Sequence, residues 1–380
     1  MQKFLKMKII HVVISVGSRG GGVSTLVRSL ILQQIKNGHQ PVVVSSPFSQ
    51  GDFKRWCALE NIQVPYHVIE RCRLRRMTVL GGLSNKNYQM LIKKYGEENV
   101  VFHFHNPIGV GIFGKIPSNS ICTIHSFIGR IFSSKITNLL ATLSFKRLKK
   151  QNIITVACCR VMENYLREKY GLKRTTTILN GISDIEKAEN KYVSVSEKIH
   201  IGYAAVLNEL KGWHILAQAY ELLPLSVRKK CDLTFVGRVD PVDQEKFNAF
   251  LERNNEVKYW GFLPNAAGNF IPYLDIFVLP SRSEGFPMSL LETMQHGVVP
   301  IATAVGGIPE LIEDNKSGFL VERTPKALAQ CLEELIVDPE KLLRVKQQAK
   351  QRFKKIGTAE QMTQDYLKVY MNTINRSARE

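Results

Sequence analysis

Apolar residues along this chain gather in short runs, separated by stretches with helical spacing, and the alternation occurs twice. In the first half, strand-like runs fall at 8–16, 41–46, 100–105, 121–125 and 153–157. Between the first two, Val23, Leu26, Val27, Leu30, Ile31 and Ile35 mark one face of a helix over 23–36. The second half restarts the pattern, with strands predicted at 198–204, 232–236, 257–259, 276–279, 299–302 and 318–321, and helices at 213–222, 243–253 and 288–296. Strand, helix and strand joined by short links imply a parallel sheet covered by helices. The polar stretch 183–196 reads as a linker, and a last helix is predicted at 358–374. The expected fold class is therefore α/β, with two facing Rossmann-like doubly wound domains at 1–185 and 186–357. A C-terminal helix, 358–380, is expected to pack back toward the first domain. Ligands of such sheets bind beyond the carboxyl ends of the strands, and two facing domains make an interdomain cleft.

A chain of 380 residues is long enough for two cores. Apolar and charged contents of 44% and 22% exclude a disordered chain, and no apolar run reaches the ~18 residues needed to span a bilayer. Lys3, Lys6 and Lys8 ahead of the apolar run 9–16 imitate a signal peptide, but the run is short, contains His11 and leads into glycines, so a buried first strand is expected. The seven cysteines form no CxxC pair and read as reduced, buried thiols of a cytosolic protein.

Charge changes the picture more. The net charge is +19, and residues 1–190 hold 28 Lys and Arg against 10 Asp and Glu, whereas the remainder is nearly balanced. Such a field attracts a polyanion or an anionic membrane surface. Arg71, Arg73, Arg75 and Arg76 form one basic cluster, and residues 130–150 form a basic amphipathic helix. That helix suits an anionic membrane, and equally a core-facing helix with a solvated basic side. Nucleic acid is not an expected partner, because no stacking aromatics accompany the basic residues.

The richest chemistry lies at 279–313. A predicted strand ends in a polar turn, and Glu284-Gly285-Phe286-Pro287 then opens a helix. A helix start offers free N–H groups and partial positive charge to a diphosphate. Glu284 and Glu292, eight positions apart, could reach two parts of one extended ligand, and carboxylates accept hydrogen bonds from vicinal hydroxyls. Isolated, the pair would be ordinary surface acids. Gly20-Gly21-Gly22 lies between the first strand and helix, yet Val23-Ser24 replaces the Lys-Ser/Thr of a Walker loop. His103, His105 and His125 end two predicted strands. An H-x-H pair suggests a metal, but no third ligand is evident and no metal site is expected.

This stretch resembles the donor-binding signature of glycosyltransferase family 4, the retaining GT-B transferases: EGFPMSLLE matches the E-x7-E segment, and GVVPIATAVGGIPELI matches the segment downstream of it. The resemblance extends more weakly over nearly the whole chain. It implies that Glu292 binds the ribose hydroxyls, that Glu284 contacts the donor sugar, and that Gly285, Phe286 and Pro287 bring amides to sugar or diphosphate. IGYAAVLNELKG resembles the family segment ending in Lys-Gly, which makes Lys211 the cation for the diphosphate without a metal. The family usually carries Gly-Arg before that lysine, where this chain has Ala205-Val206, and Arg238 is the candidate to replace the missing arginine. Gly21 and Gly22 would approach the donor phosphate, and His125 would lie by the reacting sugar, with His105 a secondary candidate. Asn180-Gly181 resembles the hinge motif. Implied is a hexosyltransferase using a nucleoside diphosphate sugar, UDP rather than GDP, and a saccharide or lipid-linked acceptor in polysaccharide or lipopolysaccharide synthesis. Its implied location is cytoplasmic, at the inner face of the cytoplasmic membrane. An epimerase or hydrolase of the same fold and a non-catalytic nucleotide-sugar binding protein remain the alternatives.

Overall fold

Seven strands of the N-terminal half are β1 (Lys8–Val12), β2 (Gln40–Ser45), β3 (Tyr66–Val68), β4 (Val100–His105), β5 (Ser120–Ile124), β6 (Ile154–Ala157) and β7 (Thr175–Thr177). Six follow: β8 (Ile199–Ala204), β9 (Cys231–Val236), β10 (Lys258–Tyr259), β11 (Ile276–Leu279), β12 (Val299–Thr303) and β13 (Phe319–Val321). They form two sheets, ordered β3-β2-β1-β4-β5-β6-β7 and β10-β9-β8-β11-β12-β13. Every pairing between them is parallel. This computed structural model describes residues 6–13, 15–16, 21–68, 83–106, 110, 114–127, 135–188 and 197–377. It divides into one unit of Met1–Gly181 with Ala359–Glu380 and another of Ile182–Thr358.

Both sheets follow the doubly wound order, in which chain direction across the sheet reverses between the first and fourth strands. That switch point lies between β1 and β4 in the N-terminal unit and between β8 and β11 in the C-terminal unit. The strands are near-continuous apolar runs because helices cover both faces. Ile9, Ile10, Val42, Val43, Phe102 and Phe104 are fully buried in the first sheet, and Tyr203, Leu233, Phe235 and Val278 in the second.

Most ends of elements differ from the periodicity by a residue or two, that of β1 by four and that of the last helix by three, for local reasons. The run at 8–16 pairs with β2 only as far as Val13, whose N–H donates to the Val44 carbonyl at 3.0 Å. The three-residue strands β3 and β7 sit at the two edges of their sheet and are too short to carry a period. The helices Pro325–Val337 and Pro339–Ile356 start where Thr324 and Asp338 accept the Ala327 and Lys341 amides at 3.2 and 2.9 Å, each with proline in the first turn. The last helix, Ala359–Ser377, packs against helix Gly21–Lys36, β4 and β5.

Gly20, the arginines at 71, 73, 75 and 76, Cys72, residues 130–134 of the basic stretch and residues 189–196 of the linker lie outside the described residues. The six described cysteines are all buried. Among the described residues, no helix is long and apolar enough to cross a membrane.

Candidate active site

In the C-terminal unit the two strands at the switch point each deliver one charged side chain. The loop after β8 ends in Lys211-Gly212 and passes into helix Trp213–Leu222. Lys211 N–H donates to Asn208 Oδ1 at 2.9 Å, which closes the loop. Gly212 has φ of 77° and abuts the Pro280 carbonyl, so a Cβ there would overlap that oxygen. This contact brings the loop after β8 against the end of β11. Arg323, just past β13, ties the same two segments, donating from Nε to Pro280 O at 3.0 Å and from Nη2 to Glu209 O at 2.6 Å.

The result is an ion pair with a buried acid and a half-buried base. Lys211 Nζ lies 2.7 Å from Glu284 Oε1, and Ser281 Oγ donates to the same oxygen at 2.7 Å. The Glu284 side chain is 8% exposed and that of Lys211 29%. Among the described residues nothing bonds Glu284 Oε2, so this oxygen is left to accept from a ligand hydroxyl while the ammonium keeps two of its protons. Gly306 packs on the Glu284 main chain at φ of 58°, where a Cβ would overlap the Glu284 carbonyl, and Gly307 N–H donates to Gly285 O at 2.7 Å. The loops after β11 and β12 therefore hold one another at the same sheet edge.

Phe286 and Pro287 are buried, and Pro287 is the residue before helix Met288–Gln295 rather than its first member. No side chain caps that helix, so its first amides are available to an anion. Glu292 lies in the second turn and is partly buried. Desolvation raises its pKa from 4.5 to about 7. Among the described residues its carboxyl group makes no hydrogen bond or ion pair, so no protein cation offsets that cost. Arg238, exposed at the end of β9, lies beside the loop that carries Val206: its carbonyl accepts from Leu207 N–H at 2.9 Å, and its guanidinium stacks 4.8 Å above the Phe262 ring. Val206 is exposed.

The histidines lie in the N-terminal unit. His11 pairs in register with His103, and His105 with Thr123, so alternation puts these four side chains and His125 on one face of the sheet. His11, His103 and His105 are fully buried and within reach of a common ion. Their ring nitrogens are already engaged. His11 contacts Gln34 Oε1 at 2.9 Å and His105 Nε2 at 3.0 Å, and His105 Nδ1 contacts His125 Nε2 at 3.2 Å. His103 bonds the Tyr370 and Thr123 hydroxyls at 2.8 and 2.7 Å. Burial lowers His11 and His125 to about 4 and holds His103 and His105 well below 6.5, so all four are neutral at pH 7. The structure thus supplies, in His11, the third histidine that spacing along the chain does not show, within a cluster of neutral, hydrogen-bonded rings. Gly21 and Gly22 are exposed at the start of helix Gly21–Lys36, beyond β1 in the same unit.

Sequence reasoning passed over Ser281, Asn208, Arg323 and Gln34. Ser281 stands three residues before Glu284, a weak signal. Arg323 and Gln34 act across distances for which spacing gives none.

The chain matches two family models, "Glycosyltransferase Family 4" over residues 20–185 and "Glycosyl transferases group 1" over residues 184–352. It is 27% identical over 312 residues to the putative colanic acid biosynthesis glycosyltransferase WcaL of Escherichia coli (strain K12), covering 70% of this chain and 74% of that one. To the capsular polysaccharide biosynthesis glycosyltransferase CapH of Staphylococcus aureus it is 28% identical, over 46% of this chain and 49% of CapH. Among solved structures, Anabaena Alr3699/HepE in complex with UDP and glucose superposes with a TM-score of 0.74 at 18% identity, covering 96% of this chain and all of that one. Sucrose-phosphate synthase from Thermosynechococcus elongatus gives 0.77 at 16% identity, covering 98% and 100%. With both halves matched and the doubly wound order present twice, this chain belongs to glycosyltransferase family 4 and has the GT-B fold.

Proposed function

We propose that the enzyme moves a hexose from a nucleoside diphosphate sugar, UDP in preference to GDP, to a saccharide or lipid-linked acceptor in envelope polysaccharide or lipopolysaccharide synthesis, with retention. One observation carries this reading. Lys211 and Glu284 meet at 2.7 Å on the switch point of the C-terminal unit, on the loop that leads into the helix bearing the unpartnered Glu292. Lys211 and the uncapped amides of that helix supply positive charge where a departing diphosphate gains negative charge, and no metal is needed for that role. Glu292 accepts from ribose hydroxyls in its carboxylate form, which desolvation disfavours in the free protein and which those donors would stabilise in place of the missing protein partner. Glu284 Oε2 accepts from the donor sugar. Arg238 takes the place of the arginine absent at Val206 and pairs with the diphosphate. Gly21, Gly22 and His125 supply the N-terminal unit's share, His125 as a neutral imidazole beside the reacting sugar. The HepE complex with UDP and the names of WcaL and CapH support the donor class and the polysaccharide setting.

For the acceptor side, the charge excess of residues 1–190 supports attraction to the anionic inner face of the cytoplasmic membrane. Helix Lys135–Lys150 exposes Leu139, Lys146, Lys149 and Lys150, whereas Arg147 is held to the Gly114 carbonyl at 2.7 Å.

The test is a thermal-shift panel of UDP- and GDP-sugars, followed by nucleotide release in the presence of a membrane extract. A UDP-sugar is expected to raise the melting temperature and to be consumed only with acceptor. Stabilisation by no nucleotide sugar would overturn the reading. Release without acceptor would favour the hydrolase alternative. The anomeric proton coupling of the product decides retention.

A further inference from the structure

The buried histidine chain has a direction, and the direction is set at the end farthest from His125. Gln34 lies on helix Gly21–Lys36, and its Oε1 is 2.9 Å from His11 Nε2. An amide oxygen only accepts, so the His11 proton sits on Nε2 and His11 Nδ1 is an acceptor. His105 Nε2, 3.0 Å away, must then donate to it. A neutral imidazole has one N–H, so His105 Nδ1 accepts in turn, and the donor is His125 Nε2 at 3.2 Å. His125 is left with an unprotonated Nδ1. Turning the Gln34 amide over would reverse every proton in the series.

The Gln34 amide oxygen faces His11, and its nitrogen is buried without a hydrogen-bond partner among the described residues, so the orientation of this one amide is the point on which the series turns. His103 stands outside the series. Its partners, Thr123 and Tyr370, are hydroxyls that donate or accept as required, so it transmits no preference.

We propose that Gln34 is a positioning residue: through His11 and His105 it holds His125 as the Nε2–H tautomer, so that Nδ1 is presented as a hydrogen-bond acceptor for a substrate hydroxyl. The proposal rests on the function proposed above only in placing His125 beside the reacting sugar. A fixed acceptor selects a hydroxyl that can donate there, whereas a mixture of tautomers would present an N–H to the same position part of the time.

The experiment is imidazole 15N–1H correlation spectroscopy on the full chain, with His125 assigned from the signals lost in His125→Gln. The wild-type protein should show His125 as a single Nε2–H tautomer at pH 7. Gln34→Met removes the acceptor at similar volume and should give a mixture of tautomers, with a lower kcat and an unchanged KM for the donor. His11→Phe interrupts the series one step later and should give the same mixture. A wild-type His125 protonated on Nδ1 overturns the proposal, even if neither variant folds, and so does a folded Gln34→Met protein whose His125 tautomer is unmoved. The spectrum needs no substrate, so a chain without transferase activity would defeat the proposed function while the tautomer alone still decides the role of Gln34.

Discussion

Replacing Glu292 by glutamine should make the free protein more stable and the donor complex weaker, and the two effects have one cause. The carboxyl group is desolvated without a partner among the described residues, which raises its pKa from 4.5 to about 7. The unfolded chain then releases this proton first. Below pH 4.5 the group is protonated in both states and costs nothing. Between pH 4.5 and about 7 stability falls, and above pH 7 the full cost remains. A gap of that size corresponds to about 3 kcal/mol, and partial exposure of the side chain reduces it to about 1–2 kcal/mol. Glutamine cannot ionise, so the wild-type and Glu292→Gln melting temperatures should coincide near pH 4.5 and separate as pH rises, the variant lying roughly 3–6 °C higher at pH 8. Calorimetry at pH 4.5, 6, 7 and 8 measures the separation, and taking the difference cancels the pH response of every other group. In the same variant, UDP-sugar affinity should fall about 10- to 100-fold, the worth of charge-assisted hydrogen bonds to a carboxylate. A variant no more stable than wild type at pH 8 would refute the desolvation argument, and unchanged donor affinity would refute the ribose assignment.

Other perturbations address the remaining parts of the site. Lys211→Ala strands the Glu284 carboxylate in a buried position and should destabilise the C-terminal unit by about 1–3 kcal/mol; adding Glu284→Gln should restore the urea midpoint without restoring turnover. Arg238→Ala should raise KM for the donor about 10-fold and weaken UDP more than uridine in calorimetric titration, whereas equal loss for both would place Arg238 away from the diphosphate. Gly306→Ala forces the loop after β12 off the Glu284 carbonyl, and should lower both the melting temperature and kcat/KM. Charge reversal at Lys146, Lys149 and Lys150 should reduce sedimentation with anionic vesicles at low salt and leave turnover of a soluble acceptor analogue unchanged.

Much of the architecture is a consequence of periodicity. Strands buried on both faces must be continuous apolar runs, so β4 and β11 are legible to the residue, as is helix Trp213–Leu222. Edge strands β3 and β7 escape because three residues with one open side need no pattern. The helices Pro325–Val337 and Pro339–Ile356 are marked in the chain by Thr324-Pro325 and Asp338-Pro339, a capping signal that apolar periodicity alone does not use.

The site divides in the same way. Glu284, Gly285, Pro287 and Glu292 form one contiguous segment whose chemistry needs a strand end and a helix start, and local sequence determines both. Lys211 could be placed only by resemblance, because its meaning depends on Glu284, 73 residues away. Tertiary structure alone decided that Arg323 and Gly212 clamp the loops around this pair, that Glu292 is desolvated, and that His11, His105 and His125 make one hydrogen-bonded series ending at Gln34. The reason is physical. A period in the sequence records which face of an element meets apolar neighbours. The partner of a buried polar atom is chosen by sheet order and helix placement, which join residues far apart in the chain.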